Sequence, residues 1–327
     1  MRPSTTDLPL LPLLTLLVAA TVRVGAAGAA DDASPRFTVP VTASGPVVFV
    51  AYGDTRFTRR EGVANAFARR ALVEGIAREH PLAVLIGGDL VYQGSDPDDY
   101  EVYRSETAPW TGAQIPVFAA LGNHEFKGCG RRAPDRCLEN WWQAMAPLAV
   151  RPYRWYSVSI GPSLLVLILD SDSSLKPGSA QHNWLEEQIA NADPGVRFIL
   201  IALHYPPVRD PLIPRAKDEK EIARYLARNA GRLRQRVVVV GSHVHNYERY
   251  FRDDVTYLVS GGGGAKPVPS LRMFGERSQL RTAVNYHYIR FTLQDDRLQG
   301  TMVRFDPSTP DANAWSEPDH FEVSAKN

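Results

Sequence analysis

The chain has 327 residues, 44% of them hydrophobic and 22% charged, with a formal net charge of +1. That is enough apolar material for one large packed domain without a disulfide scaffold. The near-neutral charge offers nothing to steer the protein onto nucleic acid or anionic lipid. Residues 8–20 are almost wholly apolar and lead into a small-residue stretch at 25–30, which predicts a secretory signal peptide over residues 1–30, cleaved after Ala29 or Ala30. The run is shorter than the ~20 residues a spanning helix needs, and Pro9 and Pro12 interrupt it. No cysteine precedes Cys129, so no thiol near the cleavage point could carry a lipid. A secreted or periplasmic protein without a membrane anchor is therefore expected, with oligomeric state left open. Removal of residues 1–30 takes away Arg2, Arg23 and Asp7 and leaves basic and acidic residues in equal number.

After a lead-in at 31–46, short β-rich apolar runs alternate with helical patterns. Strands are predicted at 47–52, 82–86, 117–120, 164–169, 198–203 and 237–240, and helix-like spacing of apolar residues occupies 62–79, 180–190 and 219–228. Residues 153–160 and 164–170 flank a Gly161-Pro162 turn, a hairpin signal, and further strands are expected at 255–260, 286–293 and 298–305. The alternation argues for an α/β core of two stacked sheets covered by helices, running from residue 47 to residue 305. From residue 306 the chain is polar and Pro-rich and reads as a surface tail to residue 327. Cys129 and Cys137 lie eight apart in a Gly-, Arg- and Pro-rich loop, a spacing that an oxidising compartment would close into a disulfide. A metal-binding thiol pair and two free thiols are the alternatives.

Residue types that ligate metals recur directly after the predicted strands. Asp54 follows the first in Tyr-Gly-Asp-Thr, and Asp89 the second in Gly-Gly-Asp-Leu-Val-Tyr. Asn123 and His124 follow the third in Gly-Asn-His-Glu, His204 stands in Ala-Leu-His-Tyr-Pro, and His243 and His245 follow a run of valines. Taken singly, each such Asp is a turn former or helix cap, and His243 and His245 could share a solvated face. Open sheets place ligands beyond the carboxyl ends of their strands, so the whole set can meet in one crevice. Carboxylate, amide and imidazole groups suit iron, zinc or manganese, and a shared carboxylate can bridge two such ions.

In type and order, these blocks resemble the calcineurin-like metallophosphoesterase superfamily, from residue 47 to the region of residue 295. Supporting phrases are Leu169-Asp170-Ser171, Trp184-Leu185 and the run Ser260 to Gly264. The one departure within the blocks, Ser242 between Gly241 and His243, displaces no ligand. Within the superfamily the sequence is most similar to the purple acid phosphatases. Where many relatives carry a ligating histidine two residues after the first aspartate, this chain has Arg56, which cannot ligate. Tyr92, three residues after Asp89, matches the tyrosine that takes its place in the purple acid phosphatase pattern, with a surface turn tyrosine as the alternative. His245-Asn246-Tyr247-Glu248-Arg249 also resembles that branch.

The resemblance implies a four-layer sandwich, two stacked mixed β-sheets flanked by helices. It implies an exported phosphatase that hydrolyses phosphate monoesters by attack of metal-activated hydroxide, with two metal ions, Fe3+ and a divalent Fe, Zn or Mn. Asp54, Asp89, Tyr92 and His245 would hold one ion, and Asp89, Asn123, His204 and His243 the other. His124 would protonate the departing alkoxide, and Glu125 would orient His124. Arg56 is either a phosphate-binding group or a plain structural arginine. Purple acid phosphatases often supply further histidines between the positions of His204 and His243. None occurs here, and Arg209, Arg215 and Lys217 are the candidate substitutes. His80, His182 and His320 read as packing or surface residues, and His287 as the one further histidine able to approach the site. The substrate would be a small phosphate ester. Phosphodiester or nucleotide hydrolysis is the nearest alternative, and a non-catalytic phosphate-binding protein the remote one.

Overall fold

The structure is a computed structural model that describes residues 23–24, 34–41, 45–129, 135–145, 151–209, 218–268, 286–310 and 314–326. The leader expected over residues 1–30 lies outside these apart from β1 (Arg23–Val24), and so do Arg215 and Lys217.

Strands β3 (Val47–Tyr52), β4 (Val84–Ile86), β5 (Val117–Ala119), β12 (Tyr286–Gln294), β13 (Arg297–Phe305) and β14 (Trp315–Ser324) form one sheet, in the order β14-β13-β12-β3-β4-β5. The other sheet has eight strands in the order β1-β2-β6-β7-β8-β9-β11-β10. They are β1, β2 (Arg36–Val39), β6 (Tyr156–Ile160), β7 (Leu164–Ile168), β8 (Phe198–Ala202), β9 (Arg236–Gly241), β10 (Tyr247–Arg252) and β11 (Val255–Ser260). Both sheets are mixed. Parallel pairing joins β3 to β4 and β4 to β5 in one, and β7 to β8 and β8 to β9 in the other. The predicted hairpin at Gly161 is the antiparallel pair β6–β7.

Why the central strands read as unbroken apolar runs is visible in β8 and β9. Phe198, Leu200, Val238 and Val240 point between the sheets into a core shared with Phe49 and Phe291. Ile199, Ile201, Val237 and Val239 point the other way, onto Leu185 and Ile189 of α5 (Ala180–Ala190) and Ile222 and Leu226 of α6 (Glu221–Asn229). With both faces buried, no polar position survives. Against the other sheet lies α1 (Ala66–Arg78), started by Asn65, whose side chain accepts the Ala68 N–H, and packed through Leu72, Val73 and Ile76. The expected four-layer sandwich is the observed architecture. Three further helices, α2 (Pro97–Glu106), α3 (Ala108–Gly112) and α4 (Asp135–Ala144), have no counterpart in the sequence reading.

The expected boundaries need two corrections. The lead-in at 31–46 contains β2, which pairs parallel with β6 and buries Phe37 and Val39 in the main core. The stretch from residue 306, read as a surface tail, contains β14, an edge strand paired to β13 along its length. One face carries His320, Glu322 and Ser324 towards water, and the other packs Trp315, Phe321 and Val323 against the core around the buried Asp319. Asp319, 3% exposed, accepts two hydrogen bonds from Arg249 at 2.7 and 2.8 Å and one from the Tyr247 hydroxyl at 2.7 Å. The C-terminal strand is thus held by the residues that follow His245.

Cys129 and Cys137 form a disulfide, with their Cα atoms 5.8 Å apart, closing the loop after Gly-Asn-His-Glu. Loss of the Asp319 charge should weaken the attachment of β14. Asp319→Asn is expected to lower unfolding free energy by about 2 kcal/mol, less than a fully enclosed pair would lose because Arg249 still touches water. The check is the urea midpoint at unchanged slope, and a midpoint equal to wild type would show that Asp319 does not anchor the strand.

Candidate metal centre

The strand ends bring the predicted residues together. Asp54 follows β3, Asp89 follows β4 and Asn123 follows β5, while His204 follows β8 and His243 and His245 follow β9, so both sheets contribute to one crevice. Oxygen and nitrogen atoms of Asp54, Asp89 and His204 lie within 4.8 Å of one another, and all three residues are buried. His204 Nε2 lies 3.1 Å from Asn123 Oδ1, 3.3 Å from Asp89 Oδ1 and 3.2 Å from His243 Nδ1. His245 Nε2 stands 3.5 Å from Asp54 Oδ1.

Backbone conformation sets these directions. Asp54, Asp89, His243 and His245 have φ values of 56°, 52°, 67° and 50°, in the left-handed region that side chains with a Cβ avoid, and Arg56 joins them at 46°. Strain of this kind, roughly 1–3 kcal/mol per residue, collects where a site is over-determined by its surroundings. Glycine permits the close approach: a Cβ on Gly122 would stand 2.5 Å from Asp89 Oδ1, and one on Gly261 2.4 Å from Asp54 Oδ2. Ser242, the departure from the family blocks, lies where β3, β4 and β9 converge. A Cβ on Gly53 or Gly87 would lie 2.1 or 2.2 Å from its hydroxyl.

A metal fits this donor set. Both carboxylate oxygens of Asp54 and the Nε2 of His245 are buried without a hydrogen-bond partner among the described residues, and the Nδ1 of His243 faces the Nε2 of His204 at 3.2 Å. Unpartnered buried donors of this kind call for a cation. Burial opposes the charge of Asp89, but His204, His124 and Arg56, with the His124 N–H, hold its carboxyl well below the usual range. Burial and the adjacent His204 push His243 down to about 4. Burial also acts against His245, and Asp54 more than reverses it.

Two expected roles change. Glu125, fully buried, does not orient the ring of His124. Its carboxylate accepts the backbone N–H groups of Asp89, Leu90, Val91 and Gly122 at 3.0, 2.9, 3.4 and 2.6 Å, clamping the Asp89 loop to the Asn123 loop. The ring of His124 is held instead by the Tyr92 carbonyl, 2.5 Å from Nδ1, which leaves Nε2 as the free atom, 3.8 Å from Asp89 Oδ2. Arg209 is the other change: its guanidinium lies 4% exposed against Glu219, 3.3 Å from both carboxylate oxygens. That pairing engages the guanidinium expected to bind phosphate.

Arg56 does reach the centre, with Nη2 3.3 Å from Asp89 Oδ2. The phenol of Tyr92 faces Lys127, whose hydrogen bond and charge draw it below its ordinary value. His287 is buried beneath the site, 3.2 Å from the Ser260 hydroxyl and edge-on to Tyr247. Sequence reading missed Arg69, a buried α1 residue. It donates to the carbonyls of Arg56 and Thr58 at 3.0 and 3.3 Å while paired twice with Glu106, so it holds the loop that carries Asp54 and Arg56. An arginine on the predicted apolar face of a helix was the available signal.

The cradle at Gly261 predicts that Gly261→Ala, whose new methyl would meet both Asp54 Oδ2 and the His245 backbone, lowers bound metal while circular dichroism stays at the wild-type level. Gly231→Ala, with nothing within 4 Å of the added carbon, should keep the wild-type content. Elemental analysis decides it, and equal content in both variants would count against a metal held by Asp54 and His245.

A family model described as calcineurin-like phosphoesterase matches residues 47–247. No curated protein matches the sequence. Among solved structures, a purple acid phosphatase from yellow lupin (Lupinus luteus) seeds is similar with a TM-score of 0.68 and 17% identity over 89% of this chain, which spans only 56% of the lupin protein. A dimetal phosphatase from Danio rerio has a TM-score of 0.59 and 15% identity, covering 86% of this chain and 99% of its own. An anchor protein of the Plasmodium inner membrane complex has a TM-score of 0.62 and 14% identity, covering 86% and 90%. At such identities these likenesses show the fold. The match over residues 47–247, more than half of the sequence, shows that the chain belongs to the calcineurin-like phosphoesterase family.

Proposed function

We propose that this protein is an exported, purple acid phosphatase-like enzyme that hydrolyses phosphate monoesters at a two-metal centre. The observation that carries this reading is the buried, unpartnered Asp54 carboxylate beside Asp89, His204 and His243, with His124 at its edge. Asp54, Asp89, Tyr92 and His245 hold one ion, Fe3+, and Asp89, Asn123, His204 and His243 hold a divalent Fe, Zn or Mn. When bound, the ions supply Lewis acidity, neutralising phosphate charge and lowering the pKa of water. Export rests on the apolar stretch at 8–20 and on the disulfide, a bond of oxidising compartments. No helix among the described residues is long and apolar enough to cross a membrane.

The protein's own groups supply the remaining work. His124, as the imidazolium, donates its Nε2 proton to the departing oxygen while its Nδ1–H stays on the Tyr92 carbonyl. Arg56, 15% exposed, is placed to exchange Asp89 for a phosphate oxygen, where its planar donors match the anion. Glu125 keeps the Asp89 and Asn123 loops at fixed separation through four backbone donors, so donor positions are set before substrate arrives. Metal analysis with turnover of monoester, diester and nucleotide panels tests the whole reading. Metal-loaded protein inert towards all three overturns it.

His124→Ala should fold and retain both metals, while turnover falls by about 10²- to 10⁴-fold and most for esters with poor leaving groups. A loss of equal size for activated and unactivated esters would rule out the proton-donor role. Tyr92→Phe tests the first ion separately. Iron-loaded wild type should show a visible phenolate charge-transfer band that this variant lacks, with weaker retention of one metal and an intact fold. A colourless active iron form, or a variant with the wild-type spectrum, would remove Tyr92 from the ligands and favour two divalent ions.

A further inference from the structure

Cations gather on one side of the centre, beside His124. On the side of His124, its ring lies 5.2 Å from that of Tyr92, and two cations bracket the tyrosine: Lys127 Nζ is 3.4 Å from the ring centroid and Arg60 Cζ 5.5 Å. Arg60 then lines a cleft of about 720 Å³ together with Arg59 and Arg70. The acids nearby are partly committed. Glu106 is held by Arg69 and Arg70, Asp96 meets Arg60 at 3.4 Å, and Glu61 is exposed. Across the centre, beyond His204 and His243, stand the ring of Tyr205 and its hydrogen-bond acceptor Asp172, at 3.4 Å. Among the described residues, no cation lies on the face of Tyr205.

A leaving group must lie next to its proton donor, so the His124 side is where the alcohol or second acid of the substrate extends. We propose that this side is an anion subsite, in which Lys127 and Arg60, backed by Arg59 in the adjoining cleft, hold a second phosphate of a substrate that carries at least two. The proposal rests on the phosphatase reading and deepens it by naming the substrate class. Chemistry at the reacting phosphorus is unchanged: water oxygen adds, the bond to the leaving oxygen breaks, and that oxygen departs with a proton or as phosphate. Two features preorganise the subsite. Lys127 and His124 share one short loop, clamped by Glu125 and closed by the Cys129–Cys137 disulfide, so acid and ammonium keep a fixed separation. Arg60 lies on the loop that Arg69 holds through the carbonyls of Arg56 and Thr58. Guanidinium and ammonium together favour a multiply charged phosphate, and the exposed position makes the attraction sensitive to salt.

The test compares three probes on metal-loaded full-length protein: phenyl phosphate, inorganic diphosphate and fructose 1,6-bisphosphate. The variants are Arg60→Gln, Lys127→Gln and the double variant. Expected is a fall of about tenfold or more, in the double variant, of the kcat/KM ratio for a doubly phosphorylated probe over phenyl phosphate, carried by KM and shrinking as salt rises. A fall with diphosphate alone assigns an anhydride, and a fall with the sugar bisphosphate assigns a wider spacing. Ratios unchanged for both probes overturn the subsite. Should wild type hydrolyse nothing, the phosphatase reading fails, and the subsite is judged by calorimetry with inorganic diphosphate. There, equal affinity of wild type and double variant overturns it.

Discussion

Two carboxylates buried out of reach of water set the terms for the rest of this molecule. Asp54 and Asp89 have no exposure, and an isolated ionised carboxylate in such surroundings is unfavourable by far more than a domain's net stability. Asp89 is compensated within the protein, by His204, His124, Arg56 and a backbone N–H. Asp54 has His245 3.5 Å away, and neither of its oxygens has a hydrogen-bond partner among the described residues, while His243 and His204 turn ring nitrogens towards each other. A cation resolves both deficits at once. The left-handed backbone of four ligand residues and the glycines at 122 and 261 are the means by which strands with both faces buried end in side chains aimed at one point.

Around that point the scaffold is held by polar contacts that touch no substrate. Glu125 ties two loops through main-chain donors alone, and Arg69 does the same for a third by donating to main-chain carbonyls. Each uses a charged group inside the protein to restrain backbone, where a loop left to itself would sample many conformations. The same logic extends outwards. Tyr247 and Arg249 follow His245 on β10 and grip Asp319 of β14, so the edge strand of one sheet is fastened to the end of the other that carries His245. The fold and the site are therefore not separable layers of organisation.

Cations gather beside His124. The loops carrying Asp54 and His124 bring Arg56, Arg60 and Lys127 to that side, while Tyr205 beyond His204 donates to Asp172. A net charge of +1 gives no hint of this, because pairing elsewhere on the surface cancels the local excess. Arg209, five residues after His204, is paired with Glu219 at 3.3 Å.

The sequence by itself determined the α/β class, the strands at 47–52, 164–168 and 198–202, the α5 helix and the order of metal-ligand types, because period, apolar runs and motif spacing are local properties of a chain. The hairpin at Gly161 was legible for the same reason. What it could not contain was any interaction between residues far apart along the chain. The β14 strand looked like a polar tail because its anchor, Asp319, is an acid whose partner lies 70 residues away. Glu125 looked like the neighbour of His124, but four backbone donors from two loops claim it first, and only packing decides which donors arrive. Arg69 and Lys127 carried no motif, since their roles are to face a carbonyl or a ring supplied by another element. Residue types are written in one dimension, whereas the direction of a side chain and the identity of its partner are settled by the tertiary approach of strand ends.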